Sequence, residues 1–308
     1  MFFAVSLIAL SACNNGEPGT WKNDDIYPGI KQDFHEMNDL LFKSLKANKP
    51  VIIEKIMSKP MLNDPNINRV VELSSIRMRK GKITMLDEYY MVHEFNKESK
   101  VQSTGHGIND YALTYTPTSR EMYVCFYIIK DGLDKWMLSA TYNKLDYGWK
   151  LTDLDLSSYT MSGKTSPELY QLAKQQYAKG YIIDAVNTMN LSRSSSLPNV
   201  MWSYQQKEDM NSFYSKLLEE AQNLYNFPVP MVQLATKPKI FRVFNQSSAE
   251  GYFPMIYYVS QINLKDTAAL KEENREVRKV IGRIIPGIDK DKNMCFIRCL
   301  MKCRTIKT

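Results

Sequence analysis

The hydrophobic period of this chain changes once, at Gly81, and that change limits the folds open to it. Before Gly81 the apolar residues recur at helical spacing. Phe34, Met37, Leu41 and Leu45 share one face over 32–49, and Lys49-Pro50 ends the run because a residue before proline is pushed out of the helical region. A short second helix starts at Pro50, whose missing N–H is harmless in a first turn, and carries Ile52, Ile53, Ile56 and Met57. Asp64-Pro65 caps a third, in which Ile67, Val70, Val71 and Met78 face inward until Gly81 stops it.

After Gly81 the apolar residues alternate. Ile83–Phe95, Tyr111–Thr116, Arg120–Lys130, Lys135–Lys144 and Gly148–Tyr159 read as strands rich in Tyr, Val, Ile and Thr. Asp131-Gly132 and Asp146-Tyr147-Gly148 supply hairpin turns between them. Helices followed by successive antiparallel hairpins predict an α+β fold. The order of elements over 30–163, closed by the Trp-led strand Gly148-Trp149-Lys150-Leu151-Thr152-Asp153-Leu154-Asp155-Leu156, is similar to the NTF2-like family. That resemblance implies N-terminal helices followed by a curved antiparallel sheet that wraps them into a cone with a pocket. It implies no reaction, because members of the family bind, scaffold or catalyse with unrelated pocket residues.

Beyond the cone, 164–227 reads as a helical connector. Pro167–Arg193 is a helical hairpin turning at Lys179-Gly180, with Leu169, Leu172, Ala173, Ala185 and Met189 where a tetratricopeptide-type pair wants them, in a single copy. An amphipathic stretch follows at 207–225. Residues 228–289 read as a smaller α+β domain with strands Lys239–Phe244 and Tyr252–Leu264 and a helix from Asp266 to Ile285, too few elements to close a unit by themselves. The basic, Cys-containing tail 290–308 has neither strand alternation nor a helical ending, and is expected to be disordered or out of frame.

At the other end, Phe2–Leu10 is apolar apart from Ser6 and far short of the ~20 residues that span a bilayer. It runs into Leu10-Ser11-Ala12-Cys13, which resembles the lipobox of bacterial lipoproteins. The resemblance implies a signal peptide over 1–12, lipidation of Cys13 and a flexible tether over 13–29. The expected location is the cell envelope, lipid-anchored to a bacterial membrane, the outer membrane favoured, facing periplasm or exterior. Acyl chains bury about 0.8 kcal/mol per CH2, so several make such an attachment effectively permanent. Met1-Phe2-Phe3 lacks the usual Lys or Arg, so the true start is expected upstream.

A net charge of +7 raises nucleic acid as a partner. From Lys271 to Thr308, however, eleven Lys and Arg face five Asp and Glu, which accounts for six of the seven charges, and that segment holds one aromatic, Phe296. A nucleic-acid footprint interleaves basic and aromatic residues, so no nucleic acid is expected. Cys295, Cys299 and Cys303 recur every four residues without the second pair that a zinc site needs. Asp289, Asp291 and Asn293 open like a calcium loop, but Met294 and Leu300 occupy the positions of its Gly and bidentate Glu. His35, His93 and His106 are scattered, and no metal or cofactor is predicted.

Two groups remain as weak site candidates. Asp153 and Asp155, two apart on one strand, point to one side, with Trp149 and Leu151 expected on the same face. Inside a cone a carboxyl there would have a raised pKa and serve as a general base. Tyr111, Tyr115, Tyr123, Tyr127 and Tyr142, together with Trp149, are amphipathic rings that suit a ligand pocket. The leading functional reading is a non-catalytic, membrane-anchored binding or assembly module for an envelope protein partner or small ligand. The alternatives are an isomerase- or dehydratase-like enzyme using a cone carboxylate, and a structural spacer in an envelope complex.

Overall fold

A computed structural model describes residues 17–48, 50–94, 97–263, 265–290 and 295–300. The expected signal peptide, Cys13, Cys303 and the end of the basic tail lie outside those residues.

The first described element is a strand, β1 (Gly19–Lys22), paired antiparallel with Tyr89–Val92. This corrects the tether expected over 13–29: Trp21 packs on Tyr27 and Tyr90 at centroid distances of 5.9 and 5.6 Å, giving these four residues a reason to be ordered. Four helices follow, α1 (Pro28–Ala47), α2 (Pro50–Glu54), α3 (Lys59–Leu62) and α4 (Ile67–Lys80). Proline starts α1, and Asn48 at φ +51° ends it with its N–H on the Leu45 carbonyl.

Strand β2 (Lys82–Val92) then leads to β3 (Ser99–Gln102), β4 (Tyr111–Tyr115), β5 (Glu121–Lys130), β6 (Lys135–Leu145) and β7 (Gly148–Ser158). The main sheet is antiparallel in the order β1-β2-β5-β6-β7. The chain continues through α5 (Ser166–Ala178), α6 (Ile182–Ser194), β8 (Trp202–Tyr204), α7 (Lys207–Leu224), β9 (Val229–Pro230), β10 (Lys239–Ser248), β11 (Gly251–Val259), α8 (Thr267–Ile284) and β12 (Phe296–Leu300). The molecule is thus of mixed α+β class. A capping box at Thr165, reciprocal with Glu168, starts α5 where the small polar linker ends.

Both faces of the main sheet are buried, because consecutive residues of its strands feed different cores. On one face Tyr90, Tyr123, Cys125, Tyr127, Leu138, Tyr142 and Leu151 lie with Phe34, Leu41, Leu45 and Val71 of the N-terminal helices. On the other, Tyr89, Met91, Val124, Phe126 and Met137 belong to a cluster that continues through Tyr170, Met189 and Leu217 to Ile256, Val277 and Ile281. Each such side chain contributes about 1.5–3 kcal/mol by burial. The stretch expected as a connector over 164–227 therefore covers the back of the sheet.

Two further expectations are corrected by strand pairing. Tyr111–Tyr115 does not join the hairpin series; it sits in a separate three-stranded sheet, β3-β4-β8, whose third strand lies between two helices of the supposed connector. The tail expected to be disordered supplies β12, parallel to β11 with Met255 opposite Phe296 and Val259 opposite Leu300. It completes a four-stranded sheet, β12-β11-β10-β9, in which Phe296, Ile297 and Leu300 suit a half-buried strand.

Candidate functional site

Strand β2 carries two consecutive carboxylates, and in a strand consecutive side chains face opposite ways. A bulge at Leu86, with Met85 opposite Tyr127 and Asp87 opposite Phe126, sets which way each one points. Asp87 faces the back of the sheet and Glu88 the helices, both only 1% exposed. Burial on this scale requires partners.

Asp87 accepts from Asn23 Nδ2 at 2.8 Å, pairs with Lys22 Nζ at 3.1 Å and with His106 Nε2 at 2.7 Å, and accepts the Tyr111 hydroxyl. Burial works against its charge, but the bonds from Tyr111, Asn23 and Lys22 and the charge of His106 prevail and hold the carboxyl below its ordinary range. Tyr111 is pushed well up by burial and then by Tyr89 and Asp87, so it remains a neutral donor. Glu88 pairs with His35 Nε2 at 2.8 Å and Lys31 Nζ at 3.4 Å, and accepts from Tyr123 OH at 2.5 Å. Asn23 joins the two carboxylates, donating to Asp87 while its carbonyl accepts the Glu88 backbone N–H at 2.9 Å. Chemically the cluster holds two carboxylates through the sheet, Asp87 with four side-chain partners and Glu88 with three.

The space beneath the helices is filled. Phe34 stacks on Tyr123 at 3.9 Å with the planes 1° apart, and Trp149 meets Phe34 edge-on at 4.7 Å. Tyr142 donates to Asn38 Oδ1 at 2.9 Å, and Tyr123 and Tyr142 are fully buried. Burial drives the phenols of Tyr123, Tyr127 and Tyr142 and the thiol of Cys125 well up. What remains open beside them is a recess of about 270 Å³ walled by Phe34, Met37, Tyr90, Trp149 and the Lys144–Glu121 pair, which meets at 2.6 Å.

The aspartates named from the sequence lie elsewhere. A bulge in β7 sets Tyr142 opposite Leu151 and Thr141 opposite Asp153, so Thr152 is an extra residue and the facing reverses after Leu151. Leu151 and Trp149 pack with the helices, whereas Asp153 and Asp155 share the opposite face, Asp155 across from Ser139. The expectation that all four share one side, within the cone, is therefore overturned. Asp153 is exposed; crowding by surrounding protein, then the charges of Asp155 and Asp64, raise its carboxyl pKa. The tyrosine group also divides. Tyr123, Tyr127 and Tyr142 lie with Trp149 on the helix side, while Tyr111 and Tyr115 belong to the other core, Tyr115 bonded to His93 Nε2 at 2.9 Å.

A second open space, of about 460 Å³, lies between the α5–α6 hairpin and the β10–β11 hairpin. Asp184, Asn187, Thr188 and Leu191 present one face of α6 to it, with Gln176 from α5 and Tyr252 and Phe253 from β11. Asp184, Asn187 and Thr188 are all buried, and neither Asn187 Nδ2 nor Gln176 Oε1 has a hydrogen-bond partner. The sequence signal for this face was faint: Asp184, Asn187 and Thr188 fall three and four apart among apolar residues, but Asn190, Ser192, Arg193 and Ser194 follow, so the helix as a whole shows no distinct polar stripe. The adjacent pair Asp87-Glu88 inside an apolar strand was the clearer signal, for the through-sheet cluster.

No family model matches this sequence, and no solved structure matches it. Among curated proteins, the Endonuclease MutS2 of Aquifex aeolicus (strain VF5) is 26% identical over 264 residues, covering 83% of this chain and 32% of that protein. The chain therefore spans about a third of that relative's length.

Proposed function

We propose that this chain is a lipid-anchored protein of a bacterial cell envelope that acts as a non-catalytic binding or assembly module. Residues 30–163 are read as an NTF2-like cone and the remainder as a second layer with the α5–α6 cleft as its binding surface. The cone reading draws on the four N-terminal helices lying against one face of a five-stranded antiparallel sheet with bulges in β2 and β7. The anchor reading draws on Leu10-Ser11-Ala12-Cys13, and among the described residues no helix is long and apolar enough to cross a membrane.

One observation carries the choice of binding over catalysis: the cone interior is packed with Phe34, Tyr123 and Tyr142, and the carboxylates nominated for chemistry, Asp153 and Asp155, face away from it. General-base catalysis on a substrate held in the cone needs a carboxyl within reach of that substrate. The endonuclease name belongs to a relative of which the match covers 32%, and the proposal takes nothing from it.

The anchor is tested by labelling cells with a fatty-acid probe. Wild-type protein is expected to carry label and Cys13→Ala to lose it; equal labelling of the two would overturn the anchor. The binding surface is tested with a photo-crosslinking amino acid at position 175, on the cleft, or at 33, on the recess beside Phe34. Adducts are expected from 175, and adducts from 33 alone would move the site to the recess.

A further inference from the structure

Gly19 is tied to the sheet by its pairing with Val92, only six residues beyond Cys13. Six residues span at most about 20 Å whatever path they take. A folded chain of 308 residues is about 50 Å across, so an acylated Cys13 leaves only the surface around Gly19 able to touch the bilayer. The order of β1 is what makes this so. A tether running to residue 29 would reach about 50 Å and fix no face.

That surface carries two amphipathic rings. Trp21 is half-buried and Tyr27 is 38% exposed, with their centroids 5.9 Å apart. The Trp21 indole lies over Gly19, where a Cβ would come within 2.7 Å of it, so the ring reaches back toward the end of β1 that the anchor enters. On its inner side it meets Tyr90 at 5.6 Å, and Tyr90 meets Phe34 at 6.3 Å, so the pair is backed by the helix-side core. Trp21 Nε1 and Tyr27 OH make no hydrogen bond among the described residues. Rings with an apolar body and one free N–H or O–H are enriched where hydrocarbon gives way to headgroups. The charges do not favour an anionic surface. Residues 17–33 hold Lys22 and Lys31 against Glu17, Asp24, Asp25 and Asp33, and both lysines are engaged, Lys22 with Asp87 at 3.1 Å and Lys31 with Asp24 at 2.9 Å. Anionic lipid is recognised by clusters of Lys and Arg, which this surface lacks. We propose that β1 and its turn form a bilayer-docking face, in which Trp21 and Tyr27 rest in the interfacial zone of a zwitterionic phospholipid surface. This docking rests on the anchor reading and adds to it the face that the body turns to the membrane.

The test uses the full chain purified from a bacterial host, with its acyl chains confirmed by mass spectrometry. It is reconstituted in phosphatidylcholine vesicles that contain brominated phosphatidylcholine, which quenches indoles lying in the membrane. Of the four tryptophans, Trp202 is 1% exposed within the far core. Wild-type emission is expected to be quenched, and Trp21→Phe, which keeps a ring against Tyr90, to lose most of that quenching. Tyr27→Trp, which places an indole at the more exposed position, is expected to increase it. Adding phosphatidylglycerol to the vesicles should leave the quenching unchanged or lower. Quenching undiminished in Trp21→Phe, no gain in Tyr27→Trp, or a rise with phosphatidylglycerol would each overturn the proposal. Acylated protein that gives any of these results keeps the anchor and removes the docked face; a wild-type chain without acyl chains removes both.

Discussion

His106 Nε2 lies 2.7 Å from Asp87 Oδ2 behind the sheet, closing a loop of nineteen residues onto a carboxylate that is 1% exposed. The same carboxylate takes bonds from β1 and its turn through Lys22 and Asn23 and from β4 through Tyr111, so one charge ties an edge strand, a loop and a second sheet to β2. Removing one partner of a buried ion pair leaves the others uncompensated. Asp87→Asn is expected to lose about 3–5 kcal/mol of stability in guanidinium unfolding at neutral pH. A loss below about 1 kcal/mol would show that the cluster is replaceable.

The pH dependence follows from the direction of the Asp87 shift. Its folded pKa is held below the ordinary value, so its contribution is complete above the unfolded carboxylate pKa of about 3.9 and disappears as pH falls through the folded value. Wild-type Tm is therefore expected to fall on acidification below about pH 4, with part of that slope missing in Asp87→Asn. Parallel acid limbs in the two proteins would assign the slope to other carboxylates.

Phe34 supplies a different kind of constraint. It is 2% exposed and contacts Tyr123 face to face and Trp149 edge-on, so Phe34→Ala opens a cavity at the centre of the helix-side core. The expected cost is about 3–5 kcal/mol by urea unfolding. Phe34→Leu, which keeps most of the volume, is expected to lose less. If Phe34→Ala costs no more than Phe34→Leu, the core is not as filled as the ring contacts indicate.

Asp153 runs the other way. Its folded carboxyl pKa is raised, so its ionised form opposes folding, and stability declines as pH rises from the unfolded value through the raised one. The residue is exposed and solvent screens the repulsion from Asp155 and Asp64, so the effect is small. Asp153→Asn is expected to raise stability by less than about 0.5 kcal/mol at pH 7 and to have no effect at pH 3, as read by thermal unfolding. A marked loss at pH 7 would show that the carboxylate has a partner.

The period change at Gly81 was enough to place β2 and β5–β7, and caps and apolar spacing were enough for α1, α4 and the α5–α6 pair, because these elements are specified by residues close in sequence. β1, β8 and β12 were not legible: each is three to five residues long and owes its order to a partner strand far along the chain. Facing was lost at the bulges. Alternation places Asp153 with Leu151 until Thr152 is inserted, and nothing local in Gly148–Ser158 announces that insertion. The buried cluster failed for a related reason, since His35 and His106 reach their carboxylates across 53 and 19 positions and look scattered in the linear sequence. Of the site residues, the acidic pair Asp87-Glu88 within an apolar strand was the one signal readable without coordinates.

Gly287 joins the C-terminal region to the cleft. Its φ is +89°, and a Cβ built there would lie 2.3 Å from the Tyr181 ring, which lines the cleft at the start of α6. Gly287→Ala therefore meets both a backbone conformation that L residues resist and a ring that must move. The expected loss is about 1–3 kcal/mol in urea unfolding. The ring's share of the clash is isolated in a double-mutant cycle. If the ring contributes, Gly287→Ala costs less in a Tyr181→Ala background, and the remaining cost combines the strain at φ +89° with the Tyr181 Cβ, which stays 2.7 Å away. An identical cost in both backgrounds would mean that Tyr181 yields freely, and that the approach of Gly287 to its ring does not fix the wall of the cleft.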